Sequence, residues 1–178
     1  MDTRKTDRSG LSVRSLTLMA LLFAIAMVLS VLESMLPALP FLPPGVKLGL
    51  SNIVTMYTLM VLGGSQGYTI AVLKSLFVLL VGRGPIGGAL SLSGGIASVT
   101  AMLLLSKLPQ VRKDYLLLSI FGAVFHNVGQ LTAATFVLGT AEIWRLFPLL
   151  LLAGVGMGVI TGLMLRVMMP HINQLYRH

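Results

Sequence analysis

The run LTLMALLFAIAMVLSVLESML, residues 16–36, decides the fold. It carries no charge before Glu33 and, at about 1.5 Å rise per residue, is long enough to cross a hydrocarbon core of about 30 Å. It is too long for the apolar core of a signal peptide, and no small-residue cleavage site stands before the prolines that follow. The reading is a retained span. The chain has 178 residues, of which 56% are hydrophobic and 10% charged, with a mean hydropathy of +0.93. Soluble domains carry about 25% charged residues, so this chain cannot cover a water-facing surface. The expectation is an all-α integral membrane protein: a basic tail over residues 1–14, one membrane domain over 15–170 and a short tail over 171–178.

Five further apolar segments follow, at 48–63, 67–81, 87–106, 115–139 and 146–169. The last three are long enough to span. The second and third segments are short and joined by GGSQG (63–67). The net charge of +8 would mean a nucleic-acid partner in a soluble protein. Here its placement says otherwise. Arg4, Lys5, Arg8 and Arg14 precede the first segment; Lys107, Arg112 and Lys113 lie between the fourth and fifth; Arg166 and Arg177 close the sixth. The alternate loops hold only Lys47, Arg83 and Arg145. This is the positive-inside pattern, and it predicts a six-helix bundle in the plasma (inner) membrane with both termini cytoplasmic. Loops 37–47, 82–87 and 139–145 are then outside.

Several polar residues fall where a membrane makes them expensive. Lys74 is central in YTIAVLKSLFVLLV (68–81). An intramembrane cation is a functional candidate by default, while snorkelling or a structural pairing, with Glu33 for example, is the competing account. In the fifth segment, His126, Asn127 and Gln130 of GAVFHNVGQL (122–131) approach one helical face. They fit either a ligand site or interhelical hydrogen bonding. Asn52, with Ser51 and Thr55, opens the second segment just after Lys47, and a helix N-terminus beside a lysine favours anions. Glu33, Lys47, Asn52, Lys74, Arg83, His126, Asn127 and Gln130 together form the candidate ligand site. Cations outnumber carboxylates there, which favours an anionic or zwitterionic ligand. Gly154, Gly158 and Gly162 make a small-residue ridge on the last segment. It fits intramolecular packing first and a homodimer seam second.

ESMLPALPFLPPGVKLGLSNIVT (33–55), SLSGGIAS (91–98) and GAVFHNVGQL resemble the Gx transporter family, whose members also carry the label heptaprenyl diphosphate synthase component I. That family is similar to the substrate-capture (S) components of energy-coupling factor transporters. The resemblance implies six helices, cytoplasmic ends, and a ligand pocket near the outer surface closed by the loop after the first helix, here PALPFLPPG (37–45). It also implies a partner, a transmembrane coupling subunit driven by two ATPases. In S components an AxxxA motif on the first helix docks that subunit, and MALLFAIAM (19–27) supplies it as Ala20 and Ala24.

The residues themselves offer little catalysis. There is no cysteine, P-loop or metal-ligand cluster, and the only aspartates are Asp2, Asp7 and Asp114, whereas prenyl elongation holds Mg²⁺ on aspartate-rich motifs. The chain is read as a non-enzyme without cofactor. Three functions remain: an S component, a membrane accessory in prenyl or menaquinone metabolism or a redox chain, and a stand-alone ion-coupled transporter working through His126 and Lys74.

Overall fold

A computed structural model describes residues 13–35, 51–81, 84–111 and 114–175. Lys47, Arg83 and the proline-rich segment lie outside these. All regular structure among the described residues is helical: α1 (Val13–Met35), α2 (Asn52–Val61), α3 (Gly64–Val81), α4 (Gly84–Ser106), α5 (Tyr115–Leu138), a 3-10 turn (Glu142–Leu146) and α6 (Phe147–Leu175). Five of these helices are long and apolar enough to cross a membrane, and α2, with 10 residues, is not. The six apolar segments of the sequence are thus six helices, and the chain is a multi-pass membrane protein.

Local chemistry fixes the ends. Asp114 caps α5, its Oδ1 accepting from the amides of Leu116 (3.0 Å) and Leu117 (3.2 Å). Gly139 closes the same helix in the left-handed conformation (φ 66°), its N–H bonding to Thr135 O. Gly63 (φ 108°) makes the tight reversal between α2 and α3, donating to the carbonyls of Thr58 and Leu59. Because that single residue suffices, α3 starts at Gly64, three residues before the apolar pattern does. On exposed faces Thr17, Thr69 and Thr132 each donate to the carbonyl four residues back, and half-buried Thr100 does the same while meeting the Tyr68 hydroxyl of α3 at 2.7 Å.

Two apolar clusters occupy opposite ends of the bundle. The larger joins Leu22 and Ala26 of α1, Met56 and Leu59 of α2, Ala71 of α3, Val99 and Met102 of α4, Leu118 of α5, and Leu165 and Met169 of α6. From α3 to α6 these come alternately from the first and second halves of successive helices, and those of α1 and α2 from the middle, so the chain runs up and down. The start of α1 and the end of α6 therefore share one end, here the tail end. The smaller cluster, with Leu90, Leu131, Ala134, Ile143 and Leu150, lies at the far end.

Helices α3 to α6 are drawn together by glycine. A Cβ on Gly95 would lie 3.1 Å from Ala71 Cβ, one on Gly88 2.9 Å from Leu79 Cβ, and one on Gly129 2.6 Å from the Ser93 carbonyl oxygen. Positions Gly154, Gly158 and Gly162 pack the same way, the last two against Ile120 and Leu116 at 2.5 and 2.8 Å from their Cα atoms. This ridge is an internal contact with α5, as the first of its two readings had it. A homodimer seam through the same glycines is thereby removed, because their open side is already filled. The first helix is peripheral: 22% of its span is buried, against 50% for α4.

Gly129→Ala should lower stability by about 1–3 kcal/mol, since the obstruction is backbone and cannot swing aside. Gly156→Ala, with nothing within 4 Å of the new methyl, should be neutral or stabilising by up to about 1 kcal/mol through helix propensity. Denaturant unfolding of the two variants in detergent, side by side, checks this.

Candidate functional site

Between the two apolar clusters the inward strip of every helix becomes polar. On α1 the buried positions run Met19, Leu22, Ala26 and then Ser30 and Glu33. Buried α2 residues pass from Leu59 and Met56 to Thr55, Asn52 and Ser51, while α3 changes from Ile70 and Ala71 to Lys74 and Ser75. The fourth helix contributes Ser91 and Ser98, and α5 contributes Ser119, His126, Asn127 and Gln130. Helix periodicity turns these groups to the inside of the bundle, over a band about 10–16 Å deep on α4 and α5.

Lys74 is 3% exposed. It neither snorkels nor faces lipid. Its Nζ donates to Asn52 Oδ1 at 2.8 Å. The register follows from the turn at Gly63, which pairs Leu59 with Gly67 and so, counting outward, Asn52 with Lys74. Since α2 begins at Asn52, the N-terminus of a buried, half-length helix points at mid-membrane beside an ammonium group. Its positive dipole end favours a negative partner there.

On α5, Gln130 Nε2 lies 3.0 Å from His126 Nε2. Both side chains pack on Gly94 of α4, where a Cβ would meet the His126 ring at 2.8 Å and Gln130 Cγ at 2.9 Å. The Asn127 side chain turns the other way, its Nδ2 donating to Leu150 O of α6 at 2.7 Å across the gap left by Gly154. Three buried oxygens of this layer, Thr55 Oγ1, Asn127 Oδ1 and Gln130 Oε1, have no hydrogen-bond partner. Beneath Asn52, towards the tail end, a cavity of about 10 Å³ is lined by Asn52, Met56, Ser98, Ser119, Ala123 and Thr161, among others. That is room for about one water.

The structure therefore joins Lys74 to Asn52 and His126 to Gln130, and places Glu33 (5% exposed) in the same layer. Asn127 and Gln130 do not line the cavity that Asn52 does. Sequence reasoning passed over Ser30 and Ser75, and took the hydroxyls of SLSGGIAS (91–98) for packing. Ser75 bonds to Ser91 at 3.3 Å, and their positions, next to Lys74 and one turn from Gly94 and Gly95, were the available signal. No group of three or more metal-ligating side chains occurs among the described residues.

A family model described as heptaprenyl diphosphate synthase component I matches residues 22–168. No curated protein matches the chain in sequence. Among solved structures, the S component of a bacterial ECF transporter is similar with a TM-score of 0.68 at 17% identity, covering 92% of this chain and 97% of that one. Identity that low carries the fold alone. With the family model matching most of its length, the chain belongs to the heptaprenyl diphosphate synthase component I family, and its fold is that of an ECF-transporter S component.

Proposed function

We propose that the protein is the substrate-binding component of an energy-coupling-factor-like transporter, capturing a small anionic or zwitterionic molecule from outside. The observation that carries this is the buried Lys74 ammonium held on Asn52 at the start of half-length α2. A lysine at the centre of a span costs about 2.5–3.5 kcal/mol on insertion scales. The same ion beside a helix N-terminus, ringed by hydroxyls and amides, is a ready receptor for a carboxylate or similar group. The likeness to an S component supports the reading independently.

Orientation follows from charge. Lys107 and Arg166 are exposed at the tail end, and the sequence adds Arg112, Lys113 and the basic terminal segments to that end. By the positive-inside rule the tail end is cytoplasmic. Ala20 and Ala24 are both exposed on α1, leaving a shallow apolar strip for a coupling subunit to approach. Prenyl-transfer catalysis is not part of this reading. Asp114, the one aspartate among the described residues, spends its Oδ1 on two backbone amides at the tail end, far from the polar layer.

Three outcomes test the proposal. With Gln110→Cys and Thr140→Cys in the naturally cysteine-free chain, an impermeant thiol reagent on intact cells should label position 140 and spare 110; the reverse pattern inverts the topology. Ala20→Leu combined with Ala24→Leu should leave a folded monomer that no longer co-purifies with coupling subunits, and undiminished capture removes that face from the proposal. Lys74→Met removes a costly buried charge but orphans Asn52 Oδ1; it should still fold, with apo stability lowered by about 1–3 kcal/mol, yet retain no small molecule in native mass spectrometry. A Lys74→Met protein that unfolds instead marks the lysine as structural.

A further inference from the structure

A hydroxyl on a membrane helix has a partner at hand, the carbonyl four residues back. Thr17, Thr58, Thr69, Thr100, Thr132 and Thr135 all take it. Thr161 of α6 does not, although it is only 6% exposed, and neither does Ser98 of α4 at 2%. Neither hydroxyl forms a hydrogen bond with another described residue. Both line the cavity beneath Asn52. The Ser98 oxygen stands over Gly122, where a Cβ would approach it to 3.3 Å, and Gly122 is itself part of the cavity wall.

Two further polar groups complete that wall. The Lys74 ammonium can only donate, so Asn52 turns its Oδ1 towards it. That leaves the N–H bonds of Asn52 Nδ2, which no described residue accepts. Ser119 donates to Gly158 O at 2.6 Å, and the lone pairs of its oxygen remain able to accept. These four residues come from four helices, α2, α4, α5 and α6. Asn52 supplies a donor, Ser119 an acceptor, and the two rotatable hydroxyls serve as either. A buried water needs two to four such partners and about this volume, 10 Å³. No carboxylate lines the cavity, and the Lys74 ammonium stands against the other side of Asn52. Both facts favour a neutral occupant over a cation.

We infer that this cavity holds one ordered water, which accepts from Asn52 and one hydroxyl and donates to Ser119 and the other. Bound so, it ties the start of α2 to α4, α5 and α6 and holds the Asn52 amide with its oxygen towards Lys74. The water lies on the tail-end side of Asn52 and does not depend on any ligand of the polar layer.

The sign of a stability change tests this. Thr161→Val keeps the shape of the side chain and nearly its helix propensity. With the water bound, it removes a hydrogen bond and should lower the Tm of the purified full-length protein by about 2–4 °C. A dry, unpartnered hydroxyl would instead be a liability whose removal raises Tm. Ser98→Ala should also lower Tm, and the double variant should lose less than the two losses added, because the water leaves only once. A raised Tm for Thr161→Val, or losses that simply add, overturns the assignment. Should the variants fail to fold, a structure of the unaltered protein at a resolution that shows ordered water decides. Density within hydrogen-bonding distance of Asn52 Nδ2, Ser119 and at least one of the other hydroxyls is expected, and its absence overturns the assignment. Exchanging sodium for choline at equal ionic strength identifies the occupant. Equal Tm supports water, whereas a sodium-specific rise that Thr161→Val abolishes makes the occupant a cation and overturns it.

Discussion

An ammonium group in the middle of a bilayer is the constraint from which the rest of this structure can be derived. Lys74 cannot be left facing hydrocarbon, and from the centre of α3 it is too deep to reach water easily. It needs an acceptor at its own depth, supplied by another helix. Asn52 meets that need only because α2 is half-length and returns through the single-residue turn at Gly63, which sets the register. A helix that starts at mid-membrane then exposes its first amides to the interior, and those must face polar surroundings. Ser98 of α4 and Ser119 of α5, which line the cavity with Asn52, contribute to them.

Around this layer the helices hold to one another by two different means. From α3 to α6 each crossing passes through glycine, with backbone nearly touching backbone at Gly129, Gly158 and Gly162. Dispersion and close packing, rather than any hydrophobic effect, hold helices together in lipid, and such contacts maximise both. Neither α1 nor α2 contains a glycine. Those two helices rest on the others through ordinary side chains, and α1 is mostly exposed. The hydrogen bond from Lys74 to Asn52 adds a polar tie between α2 and α3.

Much of this was legible in the residues. Hydropathy and cation placement gave six helices and the class, and Lys74, Asn52, His126, Asn127 and Gln130 stood out because polar groups are rare and costly in such segments. Other features were not legible, for physical reasons. The apolar run from 48 continues smoothly into 52, so nothing in hydropathy marks α2 as beginning at Asn52 and being buried on nearly every side. Serines at 30, 75, 91 and 98 are common in packed membrane helices, and only their burial inside the bundle gives them meaning. The glycine ridge of α6 pointed first to packing within the chain, but which helix filled it was a tertiary fact.

The family description names a synthase component, and the residues speak to what such a component could be. Ionising a prenyl diphosphate demands divalent metal held by several carboxylates near one another. Here Glu33 is within the bundle, Asp114 is tied into the cap of α5, and Glu142 lies in the 3-10 turn at the far end. These three belong to different depths of the fold and cannot converge on one ion. What the polar layer offers is one buried cation and a helix N-terminus, which suit the recognition proposed above, whether in a binding component or in an accessory that presents a compound to an enzyme. The exposed Ala20 and Ala24 strip bears on the choice between the two, because it faces outward from α1 within the span, where a transmembrane subunit rather than a soluble enzyme would meet it.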